Sequence, residues 1–363
     1  MKIDELWPKI RANIINSPRK QASTIEILRD HIDENQDKSM DAAFLARKHY
    51  FQVLINEMYL GNEREWLHKV DPVVYVVSEF TYAGKPQTVP FLVGPSLLKE
   101  KGIPDKYASG MVIRNTSVSG LHPYRGGGLT LTISFCEARG DNLLRPLLQV
   151  IESTAKALDF SPILSPYTKI AEVLMSGFES LFNAGGLSPF AGLRDSFGPN
   201  INVLFRPAYF AIIDEEKVDQ SKLWVKEKQL MKGSSLATAT PYRDADFVLY
   251  SFVSPTNNER DDLDNLPFNP LWQRVRGEAK SPIDDPNYKN ARILMANLDQ
   301  EVSLSPDLTE AQAESLVTEY YDRIHADHEL AKRRGAMGEE KDTSDEGRRR
   351  DEARKRALKN LLG

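Results

Sequence analysis

A single cysteine, Cys136, stands in a chain of 363 residues. An internal disulfide and any cysteine-based zinc site are thereby excluded. Long hydrophobic runs are also missing, and none approaches the roughly 20 apolar residues that span a bilayer. The opening residues, Met1-Lys2-Ile3-Asp4-Glu5-Leu6-Trp7-Pro8, lack the apolar stretch of a signal peptide. The expectation is therefore a soluble protein of the cytoplasm. No Gly-x-Ser-x-Gly elbow and no His-Glu-x-x-His pattern occurs, so the familiar serine-hydrolase and zinc-protease signatures have no support.

A net positive balance is missing from most of the chain and occurs at its end. The formal net charge is −5. Residues 331–363 hold 11 Lys/Arg against 7 Asp/Glu, a net of +4, which leaves −9 on residues 1–330. An acidic body with a basic end argues against a general nucleic-acid surface on the body. Apolar residues make up 41%, with 15 Phe, 13 Tyr and 4 Trp, enough to fill a sizeable core and to exclude wholesale disorder.

The clearest pattern is a tripeptide used twice. Pro123-Tyr124-Arg125 leads through Gly126-Gly127-Gly128 into Leu-Thr-Leu-Thr-Ile-Ser-Phe at 129–135. Pro241-Tyr242-Arg243 leads through Asp244-Ala245-Asp246 into Phe-Val-Leu-Tyr-Ser-Phe-Val at 247–253. A proline-started, turned strand occurring twice suggests two matching pieces of one β-architecture. The first run alternates apolar with hydroxyl residues, predicting one buried and one polar face. The second is apolar on both faces, as a central strand would be.

These signals predict an α+β fold with an antiparallel β-sandwich-like core. Residues 1–69 read as a helical N-terminal region: Phe44, Leu45, Phe51, Leu54, Ile55 and Met58 fall near helical spacing, and Ser23-Thr24-Ile25-Glu26 precedes another short helical stretch ending near Ile32. Residues 70–254 read as the β-rich core. Val73 to Tyr82, a turn at Ala83-Gly84-Lys85-Pro86, and Val89 to Val93 form a hairpin signal. Strands are also expected at 110–118, 128–136, 201–206, 208–213 and 247–254, while 222–231 fits strand or helix. Two helices are inserted at 141–186. One carries Leu144, Leu147, Leu148, Ile151, Ala155 and Leu158; the other carries Ile170, Val173, Leu174, Phe178, Leu181 and Phe182 and stops at Gly185-Gly186. Residues 255–306 read as an extended Pro/Asp-rich linker or loop. Residues 307–363 read as a helical charged C-terminal region, with 335–346 disordered and a short basic helix at 348–362.

For chemistry, His122, Arg125, Gly126, Gly127 and Gly128 form the most site-like segment, since a histidine, an arginine and flexible glycines can cradle an anion. A phosphate loop normally opens a helix, whereas this one opens a strand, and a structural turn explains the same residues. A hydrolase site assembled from His122, Arg125, Asp244 and Asp246 is the catalytic alternative. Asp244-Ala245-Asp246 also reads as the turn before a buried strand, and Glu259-Arg260-Asp261-Asp262 as a salt-bridged loop. His325 and His328 stand three apart on a helix with Asp322, Asp327 and Glu329 adjacent, a spacing that suits a metal, but the surroundings are charged and a stable site needs further ligands. Cys136 has no base and orienting group near it in sequence, so it reads as a core residue. No catalytic set, metal or cofactor is assigned. The basic cluster Arg348, Arg349, Arg350, Arg354, Lys355 and Arg356 lacks interleaved aromatics, which disfavours stacking on single-stranded bases. The function expected is a non-catalytic interaction or scaffold subunit of a larger assembly. A protein partner is implied, and nucleic acid is open only through that basic tail.

Overall fold

A computed structural model describes residues 3–16, 22–33, 42–60, 70–93, 111–139, 178–180, 182–199, 203–255, 257–280 and 286–339. The fold is mixed α+β. Among the described residues, helix α1 (Ile3–Asn16) is followed by thirteen strands: β1 (Ser23–Glu26), β2 (Tyr50–Leu60), β3 (Val70–Tyr82), β4 (Lys85–Val93), β5 (Met111–Ser117), β6 (His122–Pro123), β7 (Leu129–Arg139), β8 (Leu187–Phe197), β9 (Ala208–Ile213), β10 (Leu223–Lys226), β11 (Gln229–Lys232), β12 (Thr240–Pro241) and β13 (Phe247–Val253). Helices α2 (Asn269–Ala279), α3 (Pro286–Ser303) and α4 (Glu310–Glu339) follow. Two compact units result, one of residues 1–266 with 306–310, the other of 267–305 with 311–363.

In the first unit the named strands pair antiparallel. One sheet has the order β1-β9-β13-β2-β5, with β6 also on β2; a second has β4-β3-β7-β8; a small third has β10-β11-β12. The first two share one hydrophobic cluster. Val53 and Ile55 of β2, Phe210 and Ile212 of β9 and Val248, Tyr250 and Phe252 of β13 meet Val74 and Val76 of β3, Leu131, Ile133 and Phe135 of β7 and Phe197 of β8. The hairpin expected around 83–86 is present, turning at Ala83 and Gly84 with φ of 49° and 72°. The segment 222–231 is also a hairpin, turning at Glu227 and Lys228.

The expected helix carrying Phe44 to Met58 is corrected: residues 50–60 are β2, a central strand. The cause is a β-bulge. Leu249 pairs with Glu57 and Tyr250 with Ile55, so Asn56 is the extra residue. The alternation Phe51, Val53, Ile55 then resumes at Met58, and with Leu54 it produces helix-like gaps of three and one. Residues 23–26, ahead of the short helical stretch expected to end near Ile32, are β1, and that stretch is a single 3-10 turn at Arg29–His31. Residues 203–206 are not strand.

The face of β7 expected to be polar is polar but not wet. Thr132 and Ser134 are fully buried. Helix α1 covers this side of the four-stranded sheet, placing Ile3, Leu6 and Ile10 against Val73, Tyr75, Val77, Cys136, Phe178 and Leu187. Of the two inserted helices, 144–158 lies outside the described residues. The end of the second is a helical turn around Phe178 that closes at Gly185, whose φ of 71° suits glycine. On the outer side of the six-stranded sheet, Leu223, Val225, Leu230 and Tyr242 pack on Tyr209, Ala211, Phe247 and Leu249.

The second unit corrects the reading of 255–306 as extended. Trp272, Val275 and Ala279 give α2 a buried stripe, and Ala291, Met295, Leu298 and Val302 give α3 another. The prolines that suggested a loop sit where helices begin: Pro270 in the first turn of α2, and Pro286 as the first residue of α3. Trp272 stacks on Tyr320 of α4 at 3.8 Å, Tyr288 stacks on His328 at 3.6 Å, and Arg276 pairs with Asp327 at 3.0 Å. Helix α4 continues to Glu339, so the disorder expected from 335 does not begin there; residues 340–363 lie outside the described residues. Among the described residues no helix is long and apolar enough to cross a membrane.

Candidate functional site

His122 and Arg125 flank the turn into β7. In both Pro-Tyr-Arg copies the proline is the second residue of a two-residue strand, β6 or β12, and both tyrosines are buried. The backbone N–H of Tyr124 donates to His49 O at 2.8 Å, and that of Tyr242 donates to Leu230 O at 2.8 Å. The following runs are both strands, but β7 and β13 belong to different sheets. Gly126 and Gly127 have φ of 87° and 83°, the left-handed region that lets this turn close, while Tyr124 donates its hydroxyl proton to Gly127 O at 2.7 Å.

His122 is 1% exposed, ringed by Phe51, Phe80 and Tyr82. Its Nε2 lies 2.6 Å from the Ser119 carbonyl, which can only accept, so this nitrogen carries the proton. Burial, only partly opposed by that hydrogen bond, lowers its pKa from 6.5 to about 4. The ring is a neutral core group near physiological pH. Arg125 is half-buried and donates to the Leu308 carbonyl at 3.0 Å.

The segment 306–310, where the chain re-enters the first unit, is held by a buried polar network that the sequence hinted at only in part. The Arg260 side chain is fully buried and grips Asp262 with two bonds, 2.6 and 2.9 Å. The salt-bridged loop expected at 259–262 is thus present. Arg260 also donates to Asp307 O at 3.1 Å, and Tyr82 donates to the Asp307 carboxylate at 2.7 Å. Thr309 N–H donates to Tyr50 Oη at 3.1 Å. Burial raises the Asp307 pKa, against the lowering effects of Tyr82 and Arg260. With so many first-choice partners inside the protein, this network is a fastening.

Asp244 and Asp246 lie elsewhere. His122 pairs with β2 next to Phe51, whereas β13 begins opposite Tyr59. Eight residues of strand separate these positions, roughly 25 Å. The four residues weighed as a hydrolase site therefore do not converge. Asp244 forms an ion pair with Lys232, and the Asp246 carbonyl accepts from Asp214 N–H at 2.8 Å, in the turn before β13 that the sequence suggested. Cys136 is fully buried, and burial pushes its thiol up to about 12. His328 is stacked on Tyr288, and among the described residues no group of three His, Cys, Asp or Glu could hold a metal ion. Arg348, Arg349, Arg350, Arg354, Lys355 and Arg356 lie outside the described residues.

A cleft of about 270 Å³ opens beside β1 and was not foreseen. Ile27, Ile32, Pro207 and Ala208 form apolar wall, and Arg29, Arg206, Glu26 and Gln220 supply the polar groups. Arg206 meets Glu26 at 2.5 Å, and the Gln220 amide donates to Glu26 O at 2.6 Å. The participants are as much as 194 residues apart, with no local motif to announce them. Comparison of the chain with protein families, with curated proteins and with solved structures returned no match.

Proposed function

We propose that this chain is a non-catalytic interaction or scaffold subunit of a larger cytoplasmic assembly, built on a β-sandwich-like core. The observation that carries the reading is the division of charge, −9 over residues 1–330 against +4 over 331–363. Such a division favours contact between the basic end and an acidic face of a partner protein. Two features support it. The side chains with most chemical promise, His122, Arg125 and Asp244, are occupied in fastening turns. The sandwich reading is supported by the hydrophobic cluster that the two larger sheets share.

The test compares the full chain with one ending at Glu339 in affinity capture followed by crosslinking. The expected result is a specific protein partner captured by the full chain, weakened by truncation and by raising salt. Capture of nucleic acid or anionic vesicles in its place, or partner binding indifferent to truncation and salt, would overturn the reading.

A further inference from the structure

We infer that the edge of the two-sheet core, where β1 and β8 end their sheets, is a binding site for a primary ammonium group held by Glu26, Asp195 and Tyr250. The inference stands apart from the basic end of the chain, none of which it uses. Three strands bring the three oxygen-bearing side chains to one place. Glu26 of β1, Phe210 of β9 and Tyr250 of β13 are cross-strand partners in a single row. That row lies on the inward face, since Phe210 and Tyr250 both belong to the shared hydrophobic cluster. Asp195 of β8 pairs with Leu131, so it shares the inward face of the opposing sheet with Leu193 and Phe197. The Phe197 ring lies 5.5 Å from that of Phe210, and Asp195 follows two residues, roughly 7 Å, along the same face of β8.

These oxygens are short of partners. Tyr250 is fully buried, and its hydroxyl has no hydrogen-bond partner. An unpaired hydroxyl in a core is costly, and a phenylalanine would avoid the cost. Burial raises the Tyr250 pKa most, and the negative charges of Asp195 and Glu26 raise it further, so both carboxylates stand within electrostatic reach of the hydroxyl. Asp195 is exposed and makes no hydrogen bond or ion pair among the described residues. Glu26 gives Oε1 to Arg206, while its Oε2 accepts no hydrogen bond among them. A primary ammonium carries three N–H donors, which match these three acceptors one for one. A calcium or magnesium ion asks for about six or more oxygens. Among the described residues no group of three His, Cys, Asp or Glu could supply such a shell. The carboxylates on the two edge strands meet the cation from outside, and Tyr250 Oη lies behind them. The same ammonium chemistry exists on a free alkylamine and on a lysine side chain.

The experiment titrates the full chain by calorimetry with hexylammonium, its trimethylated counterpart, hexanol, a lysine blocked at its α-amino and carboxyl groups, and calcium ion. At least one primary ammonium is expected to saturate with Kd of about 1 mM or tighter, and at least about ten-fold better than the trimethylated ion or hexanol. Tighter binding of the blocked lysine than of hexylammonium assigns the site to protein side chains, and the reverse order assigns it to free amines. Asp195→Asn should weaken the preferred ammonium at least about ten-fold, and Tyr250→Phe at least about three-fold. Glu216→Gln, which removes an exposed carboxylate in the turn after β9, should leave the affinity unchanged. Melting curves establish that the variants are folded; should Tyr250→Phe not fold, exposed Asp195 decides alone. The trimethylated ion binding as well as the primary one, calcium binding tighter than either ammonium, or absence of saturation by both ammoniums would overturn the inference. So would unchanged affinity in folded Asp195→Asn or Tyr250→Phe, or an equal loss in Glu216→Gln.

Discussion

Arg243 Nη2 lies 2.8 Å from Glu57 Oε1, a carboxylate with no solvent exposure in the middle of the six-stranded sheet. The other carboxylate oxygen accepts the backbone N–H of Leu230 at 2.7 Å, and the guanidinium lies over the Tyr59 ring at 4.8 Å. Three separate pieces of chain, β2, β11 and the second Pro-Tyr-Arg turn, are thereby joined by one side chain. The bulge at Asn56 makes this possible, since it turns Asn56 toward Ser251 and Glu57 toward Leu230 on the same side of the sheet.

Removal of this carboxylate should therefore be costly. Glu57→Ala leaves the Leu230 N–H and the Arg243 guanidinium without their acceptor, and a loss of about 3–5 kcal/mol is expected. Glu57→Gln keeps an acceptor oxygen and should lose distinctly less. Urea unfolding of both variants checks this, and equal losses would show that the acceptor geometry contributes nothing.

The same bulge explains why part of the fold was illegible in the sequence. A strand read by alternation is recognisable while the period stays at two, as in 129–135 and 247–253. In β2 one inserted residue shifts the apolar positions to Phe51, Val53, Ile55 and Met58, and the pattern imitates a helix. In α2 and α3 the reverse occurred. Trp272, Val275 and Ala279 have helical spacing, but the density of Pro and Asp signals a loop, although Pro270 lies in the first turn of α2 and Pro286 starts α3. The glycine turn at 126–128 was legible because positive φ demands particular residues. The cleft beside β1 was not, because Arg29, Arg206 and Gln220 have no relation along the chain and are united only by the pairing of β1 with β9.

Gly192 offers a sharper test of the β7–β8 pairing. A Cβ added there would lie 2.4 Å from Ile133 O and 2.9 Å from Ser134 Cα. Both are backbone atoms of the neighbouring strand and cannot rotate away. Gly192→Ala should destabilise by about 1–3 kcal/mol through forced strand displacement. Gly84→Ala, at a turn where a Cβ would meet nothing within 4 Å, is the contrasting control for space, with a penalty from its φ of 72° alone. Thermal unfolding distinguishes the two, and a Gly192→Ala protein as stable as the parent would contradict the close approach.

Phe178 tests the layer beneath α1. It is 1% exposed and stacks on Tyr75 with centroids 3.8 Å apart and planes 11° from parallel. Phe178→Ala should cost about 3–5 kcal/mol, the loss usual for a buried phenylalanine whose cavity cannot close. Phe178→Leu should recover more than half of that. A loss below about 1 kcal/mol in the alanine variant would mean that the ring is not packed in this layer.

His122 predicts a pH dependence whose sign follows from its environment. Its folded pKa, about 4, lies below the ordinary 6.5 because burial disfavours the charged ring. The unfolded chain therefore binds the proton more readily, and protonation drives unfolding. The stabilising contribution is fully present above about pH 6.5 and is lost as pH falls toward 4, amounting to roughly 3 kcal/mol across that window. Buried carboxylates act in the opposite sense: burial raises Asp195, Asp307 and Glu79, and each favours the folded state as it takes up its proton. The comparison must therefore be made between two proteins rather than read from one curve. His122→Phe fills the same aromatic surroundings of Phe51, Phe80 and Tyr82 but cannot donate to Ser119 O, so it should be less stable near pH 7. On acidification it should lose less stability than the parent, and the two curves should converge toward pH 4. Parallel curves between pH 7 and 4 would mean that His122 does not titrate in this window.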